Sequence, residues 1–147
     1  MDQGQDIPHL PIQDLVGLPH GVADILAGLT DNGDAYRVEV PLSEQIRGSA
    51  LPVHGGVLCT LIDVASAMVA QGGPEVWERG AVAVTTEAHI RYLRQPKIGP
   101  IRVEARIVHR GRRLVIVDCV ISDGDGRKLA LGSSTYMVLE GAVPTSS

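Results

Sequence analysis

Residues 54–71 read His-Gly-Gly-Val-Leu-Cys-Thr-Leu-Ile-Asp-Val-Ala-Ser-Ala-Met-Val-Ala-Gln, and within that run Asp63 is the one carboxylate. Taking a carboxylate out of water costs several kcal/mol unless it is paired or used, and Asp is a poor helix former. Two roles are open to it. It is structural, bonded to Thr60 or to a neighbouring strand, or it is chemical, as a nucleophile or as a general base that activates water. The run opens on Gly55 and Gly56. The first N–H groups of a helix have no internal partner and carry partial positive charge, and glycine lets an oxygen atom approach them closely. Such an opening is either a tight strand-to-helix turn or a cradle for developing negative charge.

The elements around this run must position it. Gly72-Gly73-Pro74 ends it firmly, and it is the one long helix expected in the chain. Its polar residues Thr60, Asp63 and Ser66 recur at steps of three and form one narrow stripe. The other positions from Val57 to Ala70 are apolar, so the helix is expected to be buried on most sides. Upstream, Ala23–Leu29 and Tyr36–Leu42 flank Asp31-Asn32-Gly33-Asp34 and read as a hairpin. Downstream, Ala81–Leu93, Ile101–His109, Arg112–Ser122 and Lys128–Leu139 read as four strands. The last three are joined by tight turns at Arg110-Gly111 and at 123–126. The order is ββαββββ: an α+β chain whose six-stranded antiparallel sheet wraps one central helix. The other face of the sheet then calls for a partner, which points to self-association. One domain is expected across 1–147, with its core at about 20–139 and loose termini.

The chain has 147 residues and a net charge of −4, against nonspecific nucleic-acid binding. From Ala88 to Arg113, however, eight Arg and Lys face Glu104 alone. A basic stretch on an acidic chain suits a small polyanionic ligand or a solvated strand face. Cys59 and Cys119 lie far apart in apolar runs, without zinc or CxxC spacing, and read as free buried thiols of a reducing compartment. The acidic, polar N-terminus does not resemble a signal peptide, and no apolar run reaches membrane-spanning length. A cytoplasmic protein that binds neither membrane nor metal is the expectation.

These residues resemble the hotdog-fold acyl-CoA thioesterases, in particular the phenylacetate-pathway (PaaI-like) branch. The resemblance rests on His54-Gly55-Gly56 with Asp63 nine residues after the His, on the segment 85–96, and on the segment 103–111. It implies hydrolysis of an acyl- or aryl-CoA to free acid and CoA by a homodimer or homotetramer, without a cofactor. It also implies Asp63 as nucleophile or general base and the Gly55 N–H, aided by Gly56, as oxyanion donor. His54 would orient the thioester or cap the helix, and Thr85 would hold the attacking water. Arg110, Arg112 and Arg113 would form a basic hairpin for the phosphates of coenzyme A, each able to fork onto a phosphate. Glu87 and His89 share the alternating face of Thr85 and are assigned no role.

The chain departs from the family pattern in its entry loop. Gly48 stands where the family often has Asn, and Leu51 where it has Gly. Ser133, Ser134 and Thr135 lie outside any Gly-x-Ser-x-Gly elbow, against a serine hydrolase. The alternatives are a hotdog acyl-thioester hydratase or dehydratase, whose His–carboxylate spacing is not matched, and a non-catalytic acyl-CoA binding module.

Overall fold

The computed structural model describes residues 28–42 and 53–141. The expected strand Ala23–Leu29 lies mostly outside them, as do Gly48 and Leu51. What is described begins with β1 (Leu29–Thr30), a 3-10 turn (Asp31–Gly33) and β2 (Ala35–Val40). The turn is the expected one: Asp31 and Asn32 take φ of 53° and 60°, and Gly33 takes 87°, the left-handed region that Asn and Gly tolerate best. The helix α1 (Gly55–Gln71) follows, then a short helix α2 (Pro74–Glu78). Four strands complete the order: β3 (Val82–Tyr92), β4 (Ile101–Arg110), β5 (Leu114–Ser122) and β6 (Lys128–Leu139). Gly72 ends α1 with φ of 84°. Pro74 opens α2 at its first turn, where its fixed φ and missing N–H cost nothing. A second helix was not expected from the sequence, because Gly-Gly-Pro reads as a stop and not as a restart.

The strands form one antiparallel sheet in the order β1-β2-β4-β5-β6-β3. This is the hotdog fold. Its helix-facing side is apolar: Val40, Ile101, Val103, Ala105, Val115, Val117, Ile121, Ala130 and Tyr136 are buried against Leu58, Leu61, Ile62, Ala65 and Val69 of α1. With no Phe in the chain, the bulkiest core side chains are Tyr36 and Tyr136. The helix rests directly on β6. A Cβ added at Gly132 would lie 2.6 Å from Ile62 Cγ2. The opposite side of α1 is less covered than its composition suggests, since Val57, Thr60, Val64, Ala67 and Met68 are only half-buried.

Besides a register shift between Ile121 and Ser122 of β5, two bulges reset which way side chains near the helix point. In β3 the register passes from Thr85↔Tyr136 to Glu87↔Thr135, leaving Thr86 extra. In β4 it passes from Ile107↔Val117 to His109↔Ile116, leaving Val108 extra. Each bulge inverts the alternation beyond it. Thr85 therefore faces the helix, whereas Glu87 and His89 face away from it and pair with each other at 2.6 Å. Their expected common face with Thr85 is overturned by this one extra residue. In β4 the same inversion turns Arg110 inward.

The sheet face away from α1 is ionic toward β2. Arg37 bonds Glu104 at 2.6 Å, Arg102 bonds Glu39 at 3.0 Å, and Arg106 bonds Asp31 at 2.9 Å. Arg106 first, and Arg37 with it, hold the Asp31 carboxyl below its ordinary range against partial desolvation. Two cations of the basic stretch, Arg102 and Arg106, are thus paired with acids of β2 and the preceding turn, and these exposed pairs each contribute little stability.

The Gly132 contact gives a direct check of this packing. Gly132→Val overpacks the seat of Ile62 and should lower unfolding free energy by about 1–3 kcal/mol in urea titration. An unchanged midpoint would mean that α1 does not rest on β6 at this point.

Candidate active site

Asp63 lies midway along α1, half-buried, facing the paired strands β3 and β6. Thr85 Oγ1 donates to Asp63 Oδ1 at 2.9 Å. The Tyr136 hydroxyl lies 3.0 Å from the Asp63 main-chain oxygen and 3.2 Å from Oδ1. Thr85 and Tyr136 are direct cross-strand partners, so a single rung of the sheet supplies both donors. Thr60 is not the partner; its hydroxyl bonds the Gly56 carbonyl one turn back at 2.8 Å. Among the described residues the hydrogen bonds to the Asp63 side chain all go to Oδ1 and none to Oδ2.

Tyr136 was missed in the sequence because it stands in an alternating strand, where an inward Tyr reads as core. It is fully buried. Burial, and then the Asp63 carboxylate beside it, push its phenol well above the ordinary range, while the Thr85 and Ser134 hydroxyls pull the other way. The phenol therefore stays protonated and remains a donor at any physiological pH.

Gly55 and Gly56 form the first turn of α1, both exposed. Val57 N–H and Leu58 N–H bond the His54 carbonyl at 3.0 and 3.4 Å. The N–H groups of Gly55 and Gly56 have no acceptor among the described residues, as expected of a helix start. His54 is the N-cap residue, but its side chain makes no capping hydrogen bond. The Tyr92 ring lies over Gly55, 3.4 Å from where a Cβ would be, and it also meets the half-buried thiol of Cys59. Gly55, Cys59 and Asp63 thus run along α1 beside the helix-facing residues of β3. Cys119, by contrast, is buried, and burial pushes its thiol up to about 12.

The three hairpin arginines divide. Arg110 donates to the carbonyls of Val69 at 2.9 Å and Ala70 at 3.2 Å. It caps the last turn of α1, where a cation meets the negative end of the helix dipole. Arg112 and Arg113 are exposed. Beside them a cavity of about 300 Å3 is lined by Arg79, Arg110, Arg112 and Glu75, among others. Among the described residues no group of three His, Cys, Asp or Glu side chains is placed to hold a metal ion, and no helix is long and apolar enough to cross a membrane.

Comparison with known proteins agrees with this fold and helix. Residues 53–130, more than half of the chain, match the thioesterase superfamily, and the chain belongs to it. It is 30% identical over 102 residues to SSO1253 of Saccharolobus solfataricus, itself provisionally assigned as an esterase. That match covers 69% of this chain and 65% of SSO1253, so the chain spans slightly less than two thirds of this relative. Among solved structures, conserved protein PA5202 from Pseudomonas aeruginosa is 29% identical, with a TM-score of 0.69 over 88% of this chain and 94% of that one. The smu.793 protein of Streptococcus mutans, solved bound to acetyl CoA, is 25% identical, with a TM-score of 0.64 over 76% and 86%.

The Tyr136–Asp63 contact is open to measurement. Tyr136→Phe should fold normally and lose about 0.5–1.5 kcal/mol of stability, the usual net value of one hydrogen bond. In an Asp63→Ala background that loss should shrink by at least ~0.5 kcal/mol, a coupling typical of contacting residues. Strictly additive losses would leave the hydroxyl bonded to the Asp63 main-chain oxygen alone, which Asp63→Ala keeps.

Proposed function

We propose that this chain is an acyl-CoA thioesterase that hydrolyses the thioester of an acyl- or aryl-CoA to free acid and CoA. The observation that carries the reading is the Asp63 carboxylate, fastened through Oδ1 to Thr85 and Tyr136 with its second oxygen unspent. Membership in the thioesterase superfamily and the acetyl CoA bound to the smu.793 protein support the reaction and substrate class.

In this reading Asp63 is a general base. Thr85 spends its proton on Oδ1, so its oxygen has lone pairs left to accept from a water. A water that donates one hydrogen to Asp63 Oδ2 and the other to Thr85 Oγ1 presents its own lone pair for attack. As its oxygen bonds to the thioester carbon, its proton passes to Oδ2 and the carbonyl oxygen becomes an oxyanion. The Gly55 N–H, with Gly56 beside it, stabilises that charge at the positive end of the helix. Collapse breaks the C–S bond, and Asp63 returns the proton to the CoA thiolate. His54 lies beside this donor pair and orients the thioester. Arg112 and Arg113 meet the phosphates of CoA, while Arg110 ties their hairpin to the end of α1. Attack by Asp63 itself, through a mixed anhydride, would use the same unspent oxygen.

In this reading the helix geometry favours a working unit of at least two chains. Gly55 and Asp63 are eight residues apart, about 12 Å along the axis. Attack on the thioester carbon by Asp63 itself would need the two atoms within about 3–3.5 Å, which an Asp side chain on the same helix cannot reach. The water route lengthens that reach by one hydrogen bond, but eight steps of about 100° also turn Asp63 roughly 80° away from Gly55 around the helix. A second chain supplies the missing group. The strand suited to receive it is β3, eleven residues long. It pairs with β6 on one edge, and among the described residues nothing pairs with the other. A long bare edge of this kind is a template for pairing, and it carries Thr85. A PaaI-like, cytoplasmic homo-oligomer is the form this reading takes.

The test is release of free thiol from a panel of acyl- and aryl-CoA substrates. The wild type should release CoA. Asp63→Asn should keep its fold and its KM but lose at least ~100-fold in kcat, the scale of a lost acid–base group. Turnover near wild type in that variant would overturn the assignment.

A further inference from the structure

The first turn of α1 has to hold the Gly55 and Gly56 N–H groups at fixed positions, yet it lacks the usual means of doing so. Helix starts are ordinarily pinned by a side chain that caps the free N–H groups, and His54 makes no such bond. Two glycines in the first turn add backbone freedom. The residue just before the cap is held instead. Val53 is 2% exposed, and the side-chain amide of Gln95 grips its backbone at both ends. Val53 N–H donates to Gln95 Oε1 at 2.8 Å, and Gln95 Nε2 donates to the Val53 carbonyl at 3.2 Å. This is the two-point pattern of a strand pair, made here by one side chain.

Gln95 is itself fixed from behind. Arg127 donates to the Gln95 main-chain oxygen at 3.1 Å and, through Nε, to Asp123 at 3.2 Å. Asp123 is fully buried and accepts further bonds from the N–H groups of Lys97, Asp125 and Arg127. A continuous chain of hydrogen bonds thus runs from the β5–β6 turn, through the exit of β3, to the residue that precedes His54.

We propose that Gln95, backed by Arg127 and Asp123, is a positioning residue for the oxyanion-binding turn at Gly55 and Gly56. It touches no reacting atom; it sets the angle at which the chain enters α1 and so where the two N–H groups point. The role rests on the thioesterase reading for its catalytic meaning, but the clamp itself is measurable without turnover.

Gln95→Leu removes both bonds at nearly constant volume. Gln95→Glu keeps the acceptor for Val53 N–H and loses the donor to Val53 O. For Gln95→Leu, kcat should fall about 10-fold with KM within about two-fold of wild type, because a displaced oxyanion donor weakens the transition state more than the bound substrate. Gln95→Glu should fall in between. Hydrogen exchange gives the second readout: in the Leu variant the hydrogen-bonded amides within 53–57, Val53 and Val57, should exchange faster, while amides 61–71 stay as protected as in wild type. Unchanged exchange at 53–57 overturns the clamp whatever kcat does. Exchange raised evenly along the whole helix, or faster exchange at 53–57 with kcat unchanged, reduces Gln95 to a structural residue and overturns the proposal. If the wild type hydrolyses no acyl-CoA, the thioesterase reading fails separately, and exchange at 53–57 still decides whether the clamp exists.

Discussion

A carboxylate on an apolar helix must be met by donors, and in this fold one rung of the sheet meets it. Thr85 and Tyr136 stand opposite each other across the β3–β6 pair, and both reach Asp63. That requirement bears on the topology. The strand that follows the helices, β3, does not pair with its successor β4; it crosses to the far edge and lies beside the last strand, β6. The site therefore depends on contacts between residues 63, 85 and 136, each far from the next in sequence. The Thr86 bulge completes the arrangement by sending Glu87 and His89 to the other face. The one carboxylate and the one imidazole of β3, Glu87 and His89, are thereby kept from the helix side.

What could be read in the sequence follows from periodicity and punctuation. The helix, its stop at Gly72, the β2 hairpin turn and the last strand, Lys128–Leu139, were legible because apolar period and glycine position are local signals. Asp63 was legible because it breaks an apolar run. The remainder was hidden by pairing. A bulge adds one residue to one strand relative to its partner, so no single strand discloses it. The two bulges account for the misplaced face of Glu87 and His89, and for Arg110 turning inward to the helix end. Tyr136 is one more residue of an alternating strand and Gln95 precedes a proline, so neither stands out locally. Both matter through partners 73 and 42 residues away.

The two ends of α1 carry different chemistry. Among the described residues the Gly55 and Gly56 N–H groups at its start have no acceptor, the Tyr92 ring lies over Gly55, and Gln95 grips Val53 just ahead of them. Its end is closed by the Arg110 guanidinium, which neutralises the last carbonyls. Asp63 lies between, about 12 Å along the axis from Gly55. In the proposed mechanism one helix offers an oxyanion cradle and a base that point to different substrates. The bare edge of β3 is where a second chain would bring the missing half, and the proposed mechanism then has two equivalent sites for each pair of chains.

The most direct measurement of this account is subunit complementation. Asp63→Asn chains keep the Gly55 cradle and lack the base. Gly55→Val chains keep the base and put two γ-methyl groups at the cradle, on a Cβ already in contact with the Tyr92 ring at 3.4 Å. Each variant alone should be nearly inactive in thiol release. After unfolding and refolding together in equal amounts, half of the dimers are mixed, and each mixed dimer holds one intact site. Activity should then recover to about one quarter of wild type per chain. Verified heterodimers no more active than their parents would contradict a site built from two chains.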